Sequence, residues 1–184
     1  MQHVAHDPGG VARSSPLPRS GRDASGTAVR GERPEAGRRE RPLVLVVDDE
    51  AAIRLLCRVN LRLEGMDTVE AADGATALEL ARELKPDLIL LDVMMPQVDG
   101  WQVAQALAHD PEVDELPIVF LSARAEPADY AQGYELGAMG YVTKPFDPTT
   151  LGSTLNETLV RLGRGEREEL RRERLNELGE RREG

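Results

Sequence analysis

One cysteine, an aromatic share of 3% and the lack of any long apolar run stand out in the 184-residue sequence. A lone Cys57 rules out a disulfide framework and a multi-cysteine zinc site, points to a reducing compartment, and leaves the thiol as a small apolar filler in a helix. No stretch approaches the roughly 18 apolar residues of a membrane span. The apolar run Leu43–Val47, which follows Arg38-Arg39, stops at two aspartates, too soon for a signal-peptide core. A cytoplasmic protein without a membrane partner is therefore expected. Histidine is scarce as well: His3 and His6 lie in a polar N-terminal stretch and His109 at a helix end, so all three read as solvated side chains. No G-x-G-x-x-G or G-x-x-x-x-G-K-[ST] string follows the first apolar run, and the acids in that place would repel a pyrophosphate.

Charge is abundant but unevenly spread. Residues 1–41 carry 8 Arg and 5 acids, residues 42–163 carry 8 bases and 21 acids, and residues 164–184 carry 7 of each sign. An acidic middle repels phosphate backbones and attracts cations and basic partners, so direct nucleic-acid binding is not expected. Residues 1–41, rich in Gly, Pro, Ser and Arg without periodic apolar positions, read as a disordered tail. Residues 164–184 read as a charged tail that extends the last helix, with Glu168/Arg172 and Glu177/Arg181 spaced i,i+4 and no heptad among Leu170, Leu175 and Leu178.

Between the tails, apolar runs alternate with helical patterns. Leu43–Val47, Asp87–Leu91 and Pro117–Leu121 have the near-continuous hydrophobicity of strands buried on both faces, with weaker strands at Met66–Ala71 and Met139–Thr143. Helices are expected at Ala51–Glu64, Gly74–Leu84, Gly100–His109 and Pro127–Leu136. A fifth starts at the N-cap Asp147 with Pro148 in its first turn, and carries Leu151, Leu155 and Leu159 on one stripe. Five βα units in succession imply an α/β domain: a doubly wound, five-stranded parallel sheet with five helices over its two faces.

In such a sheet the ligand site lies beyond the carboxyl ends of the strands. The residues there are Asp48, Asp49 and Glu50, then Asp92, Ser122 and Lys144. Each alone is explained by capping, turn formation or solvation. Together, three carboxylates in one crevice repel unless a cation joins them, and oxygen-only ligands suit magnesium. A lysine and a hydroxyl opposite them suit a phosphoryl group.

Val46-Val47-Asp48-Asp49-Glu50, Leu90-Leu91-Asp92-Val93-Met94-Met95-Pro96 with Asp99-Gly100, Ser122-Ala123, and Tyr141-Val142-Thr143-Lys144-Pro145-Phe146 resemble, in order and spacing, the receiver domain of bacterial response regulators. The resemblance covers about residues 42–162. It implies a flavodoxin-like strand order 2-1-3-4-5, for which this family is a standard example. It implies Asp92 as phosphoacceptor from a sensor histidine kinase or a histidine phosphotransfer protein. Mg2+ (or Mn2+) would be held by Asp49, Asp92 and the backbone carbonyl of Met94, with Asp48 acting through water. Ser122 and Lys144 would bind the phosphoryl group, Ser122 and Tyr141 would form the switch, and Lys144-Pro145 would be cis. Asp99 and Gly100 would shape the loop after Asp92, while Met94 and Arg124 hold positions that influence phosphoryl lifetime. Trp101 and Met95 read as core or rim packing.

A receiver is a signalling protein rather than an enzyme, though it assists its own phosphotransfer and dephosphorylation and passes the signal to a downstream protein. An aspartyl-phosphate hydrolase of the haloacid dehalogenase type would want an acid where Met94 stands. A degenerate receiver serving only as a scaffold would not need the full set of acids, hydroxyl and lysine. Residues 164–184 are too few for a helix-turn-helix domain, so a stand-alone receiver is expected.

Overall fold

The computed structural model describes residues 39–123 and 127–183; the side chains of residues 127, 128 and 177–183 are outside that description. Five strands, β1 (Leu43–Val47), β2 (Asp67–Ala71), β3 (Leu88–Asp92), β4 (Ile118–Ser122) and β5 (Ala138–Thr143), form one sheet in the order β2-β1-β3-β4-β5. All four pairings are parallel. The helices are α1 (Ala51–Leu63), α2 (Gly74–Leu84), α3 (Gly100–Ala108), α4 (Pro127–Glu135), α5 (Pro148–Gly163) and α6 (Arg167–Glu183).

Strand side chains alternate between faces, so each central strand feeds two cores. Leu45, Val47, Ile89, Leu91, Ile118 and Phe120 pack on one face with Ala77, Ala81, Val103 and Leu107 of α2 and α3. Val44, Val46, Leu88, Leu90, Val119 and Leu121 pack on the other with Cys57, Leu61, Leu151 and Leu155 of α1 and α5. That two-sided burial is the cause of the unbroken apolar runs. Helix starts follow side-chain caps: Asp73, Asp99 and Asp147 accept the backbone N–H of Thr76, Gln102 and Thr149, each at 2.8 Å.

Two expectations are corrected. The C-terminal stretch does not extend α5; Gly165, at φ +79°, breaks the chain and α6 turns back as a sixth helix. It docks because Leu170 is 1% exposed and belongs to the core, while Arg161 of α5 pairs with Glu166 at 2.9 Å and Glu173 at 2.6 Å. Arg39, placed in the disordered tail, is fastened to the turn after α2 through the Lys85 carbonyl at 3.2 Å and Asp87 at 3.7 Å. The rest of that tail, including His3 and His6, lies outside the described residues, as does Arg124. His109 caps α3, exposed, with its ring Nδ1 2.7 Å from the Gln105 carbonyl. Among the described residues no helix is long and apolar enough to cross a membrane.

Candidate functional site

Strands β3 and β4 each run one residue further than their hydrophobicity suggested, so Asp92 and Ser122 are the last residues of strands, not the first of loops. Ladder pairing sets Asp92 beside Leu121 and Ser122 beside Thr143, and both side chains are buried. Asp48 and Asp49 follow β1 directly. Each of Asp48, Asp49 and Asp92 offers a carboxylate oxygen, and the three oxygens lie within 4.8 Å of one another. Asp49 is exposed while the other two are buried.

Lys144, just past β5, is the cation of this crevice. Its Nζ donates to Asp48 Oδ2 at 2.7 Å and stands 3.2 Å from Asp92 Oδ2. The second oxygen of each acid is held by backbone: Asp48 Oδ1 accepts the Glu50 N–H at 2.9 Å, and Asp92 Oδ1 the Met94 N–H at 3.3 Å. The Met94 side chain itself is 64% exposed. Burial raises the Asp92 pKa; the charge of Lys144 lowers it and that of Asp48 raises it again, leaving it above the ordinary carboxylate range. Burial alone would lower the Lys144 pKa, but the hydrogen bond to Asp48 and the charge of Asp92 outweigh it and raise it. Among the described residues, two buried carboxylates pair with one ammonium in the crevice, which leaves negative charge in surplus there. An all-oxygen donor set of three acids fits a hard divalent cation that would relieve that surplus.

The surroundings explain how the site keeps its shape. A Cβ on Gly100 would meet the Asp92 carbonyl oxygen at 2.2 Å, so only glycine lets α3 begin this close to β3. The Lys144–Pro145 peptide is cis. Arg54 of α1 donates to the carbonyls of Asp48 at 2.7 Å and Asp49 at 3.1 Å, pinning the acidic turn. Arg54 escaped the sequence reading, since a basic residue on a helix gives no sign of reaching back to the preceding turn.

Tyr141 lies half-buried against α4. Its ring stacks on Phe120 with centroids 5.3 Å apart, meets Tyr130 and Tyr134 edge-on, and its hydroxyl donates to the Asp129 carbonyl at 2.8 Å. Burial, with Tyr134 nearby, raises its pKa. Gly133 makes room for it: a Cβ there would stand 1.6 Å from the Tyr141 hydroxyl oxygen. A glycine inside a helix costs stability relative to alanine, and that cost was the unread signal of close packing. Trp101 packs on Phe120 with centroids 4.7 Å apart, and Met95 is in the core.

With fold and crevice in place, comparison with known proteins gives the class. Residues 44–156 match the response regulator receiver domain, and the chain belongs to that family. It is 40% identical over 123 residues to the DNA-binding dual master transcriptional regulator RpaA of Synechocystis sp., covering 67% of this chain and 51% of that protein. It is 41% identical over 125 residues to the phosphate regulon transcriptional regulatory protein PhoB of Pseudomonas aeruginosa, covering 68% and 55%. The chain thus spans about half the length of these curated relatives. Among solved structures it resembles the chemotaxis protein CheY4 of Vibrio cholerae, at 34% identity and TM-score 0.61, over 64% of this chain and 98% of that one.

These relatives overturn the expectation that excluded nucleic acid. RpaA, and MtrA of Mycolicibacterium paratuberculosis at 42% identity, are named as DNA-binding. Acidity repels DNA only from the surface that carries it, and the matched residues cover about half of each regulator.

Proposed function

We propose that this chain accepts a phosphoryl group on Asp92 from the phosphohistidine of a kinase or phosphotransfer protein, and that phosphorylation changes its protein contacts. The observation that carries this reading is the clustering of three carboxylates from two strand ends within 4.8 Å of one another, two of them paired with one lysine, beside a buried hydroxyl at the end of β4.

An Asp92 carboxylate oxygen attacks phosphorus in line, the phosphorus–nitrogen bond breaks, and the imidazole leaves with its electron pair and takes up a proton. No general base is needed, because Asp92 is used as the carboxylate. A cation bound beside it would favour that ionised form. Asp49, Asp92 and the Met94 carbonyl, with Asp48 through water, would hold Mg2+ or Mn2+, which would neutralise charge on the phosphoryl oxygens. Lys144 leaves Asp92 for a phosphoryl oxygen and Ser122 donates its hydroxyl to another. As Ser122 moves, Tyr141 leaves its place under α4, which alters the surface formed by α4 and β5. The acyl phosphate is then lost by hydrolysis at the same crevice.

Since the named relatives are DNA-binding regulators, the downstream step we favour is control of a DNA-binding segment through this altered surface. The acceptor assignment is tested with acetyl phosphate or a phosphorylated kinase and magnesium. Wild type takes up label that is labile in alkali, and Asp92→Asn takes up none; undiminished label on the variant ends the assignment.

A further inference from the structure

Helix α6 takes no part in the chemistry at Asp92. It lies against α4, β5 and α5, over the edge strand of the sheet. Its grip is specific. Leu170 enters the core layer that holds Met139 and Leu155, Arg167 donates to the Glu115 carbonyl at 2.6 Å, and Arg171 donates to the Tyr134 carbonyl at 2.8 Å. Helix α4 is therefore held at two points: its first turn by the Tyr141 hydroxyl on the Asp129 carbonyl, and its last turn by Arg171 of α6. The two holds meet at one residue, because Tyr134, whose carbonyl Arg171 grips, sets its ring edge-on to Tyr141 with centroids 5.5 Å apart.

We infer that α6 is a strap that keeps α4 and the β5 edge in the unphosphorylated arrangement, so that docking of α6 and phosphorylation of Asp92 oppose each other. This rests on the acceptor reading of Asp92 and on the movement of Tyr141. When Tyr141 leaves the pocket at Gly133, α4 loses its first-turn bond and its packing partner, and the carbonyl gripped by Arg171 shifts with it. Close-packed interiors respond to such a loss by repacking in a second arrangement, not by stretching. Linkage then requires reciprocity: if a phosphoryl group or its mimic weakens docking of α6 by some factor, docking weakens binding of that group by the same factor, so a variant that loosens α6 binds the mimic more tightly.

The experiment uses the full chain with magnesium and beryllofluoride as the phosphoryl mimic. In wild type, beryllofluoride should slow amide exchange in peptides around Asp92 and Ser122 and speed it in residues 167–176. Arg171→Ala, checked for a native melting transition, should bind beryllofluoride roughly fivefold more tightly than wild type. Unchanged exchange in α6, or equal or weaker binding by the variant, while the Asp92 peptides do respond, overturns the strap and spares the acceptor. If Arg171→Ala does not fold, the wild-type exchange decides alone. No response around Asp92 in wild type sinks the acceptor reading, and the coupling with it.

Discussion

Carboxylates meet cations at two places in this protein. At the carboxyl edge of the sheet, Lys144 serves Asp48 at 2.7 Å and Asp92 at 3.2 Å, and both acids are buried. In the last turn of α5, Arg161 serves Glu166 at 2.9 Å and Glu173 at 2.6 Å, with Glu173 half-exposed. The counts are alike, one cation to two acids, but the surroundings are not. Water screens the Arg161 cluster, so its acids gain a partner at little cost and Glu173 is held below the ordinary carboxylate range by Arg161. In the crevice burial dominates, and Asp92 is pushed the other way. The same charges fasten a helix in one place and, buried, stay in surplus in the other. Surplus charge is what a metal or a phosphoryl group can relieve.

Removing the lysine should widen that contrast most. Lys144→Ala leaves Asp48 and Asp92 buried without their cation, so in chelator its stability should fall by roughly 3 kcal/mol. Magnesium should restore most of the loss, because it binds the folded state alone. Thermal melts with and without the ion decide the matter, and a metal-independent loss would mean that Lys144 is merely a packing residue. The fold should persist while phosphorylation no longer changes partner binding.

Next in size is the apolar anchor of α6. Leu170→Ala, at a position 1% exposed, should cost about 2–5 kcal/mol, whereas Leu175→Ala, at 45% exposed, should stay within about 0.5 kcal/mol. Chemical denaturation of the pair measures the difference; equal small losses would show that α6 does not belong to the cooperative core.

The smallest effect concerns pH. Hydrogen bonds from Thr76 hold the Asp73 carboxyl below its ordinary value. A depressed folded pKa contributes stability above the unfolded value and loses it as pH falls through the folded one. Asp73→Ala should therefore melt below wild type at neutral pH and converge on it in acid. A gap that persists in strong acid would argue against the cap.

Much of this was legible in the residues. Strands buried on both faces cannot alternate, so β1, β3 and β4 announced themselves as runs, and the acids, hydroxyl and lysine stood at the ends of those runs. Strand ends were off by one residue because Asp92 and Ser122 satisfy ladder geometry while breaking the apolar pattern. Arg54 and Gly133 were missed, since their roles depend on a neighbouring turn and on a ring from another strand. The acidity of residues 42–163 was read too broadly, as the DNA-binding relatives show.

What the chain determined unaided is the α/β alternation and the line of polar residues along one sheet edge, because hydrophobic periodicity and strand polarity are local properties. Tertiary structure alone decided that Lys144 lies nearer Asp48 than Asp92, that Tyr141 seats against Gly133, and that a tail of balanced charge turns back as α6 to cover β5. Those outcomes depend on which surfaces meet across the fold, and no spacing along the chain encodes that competition.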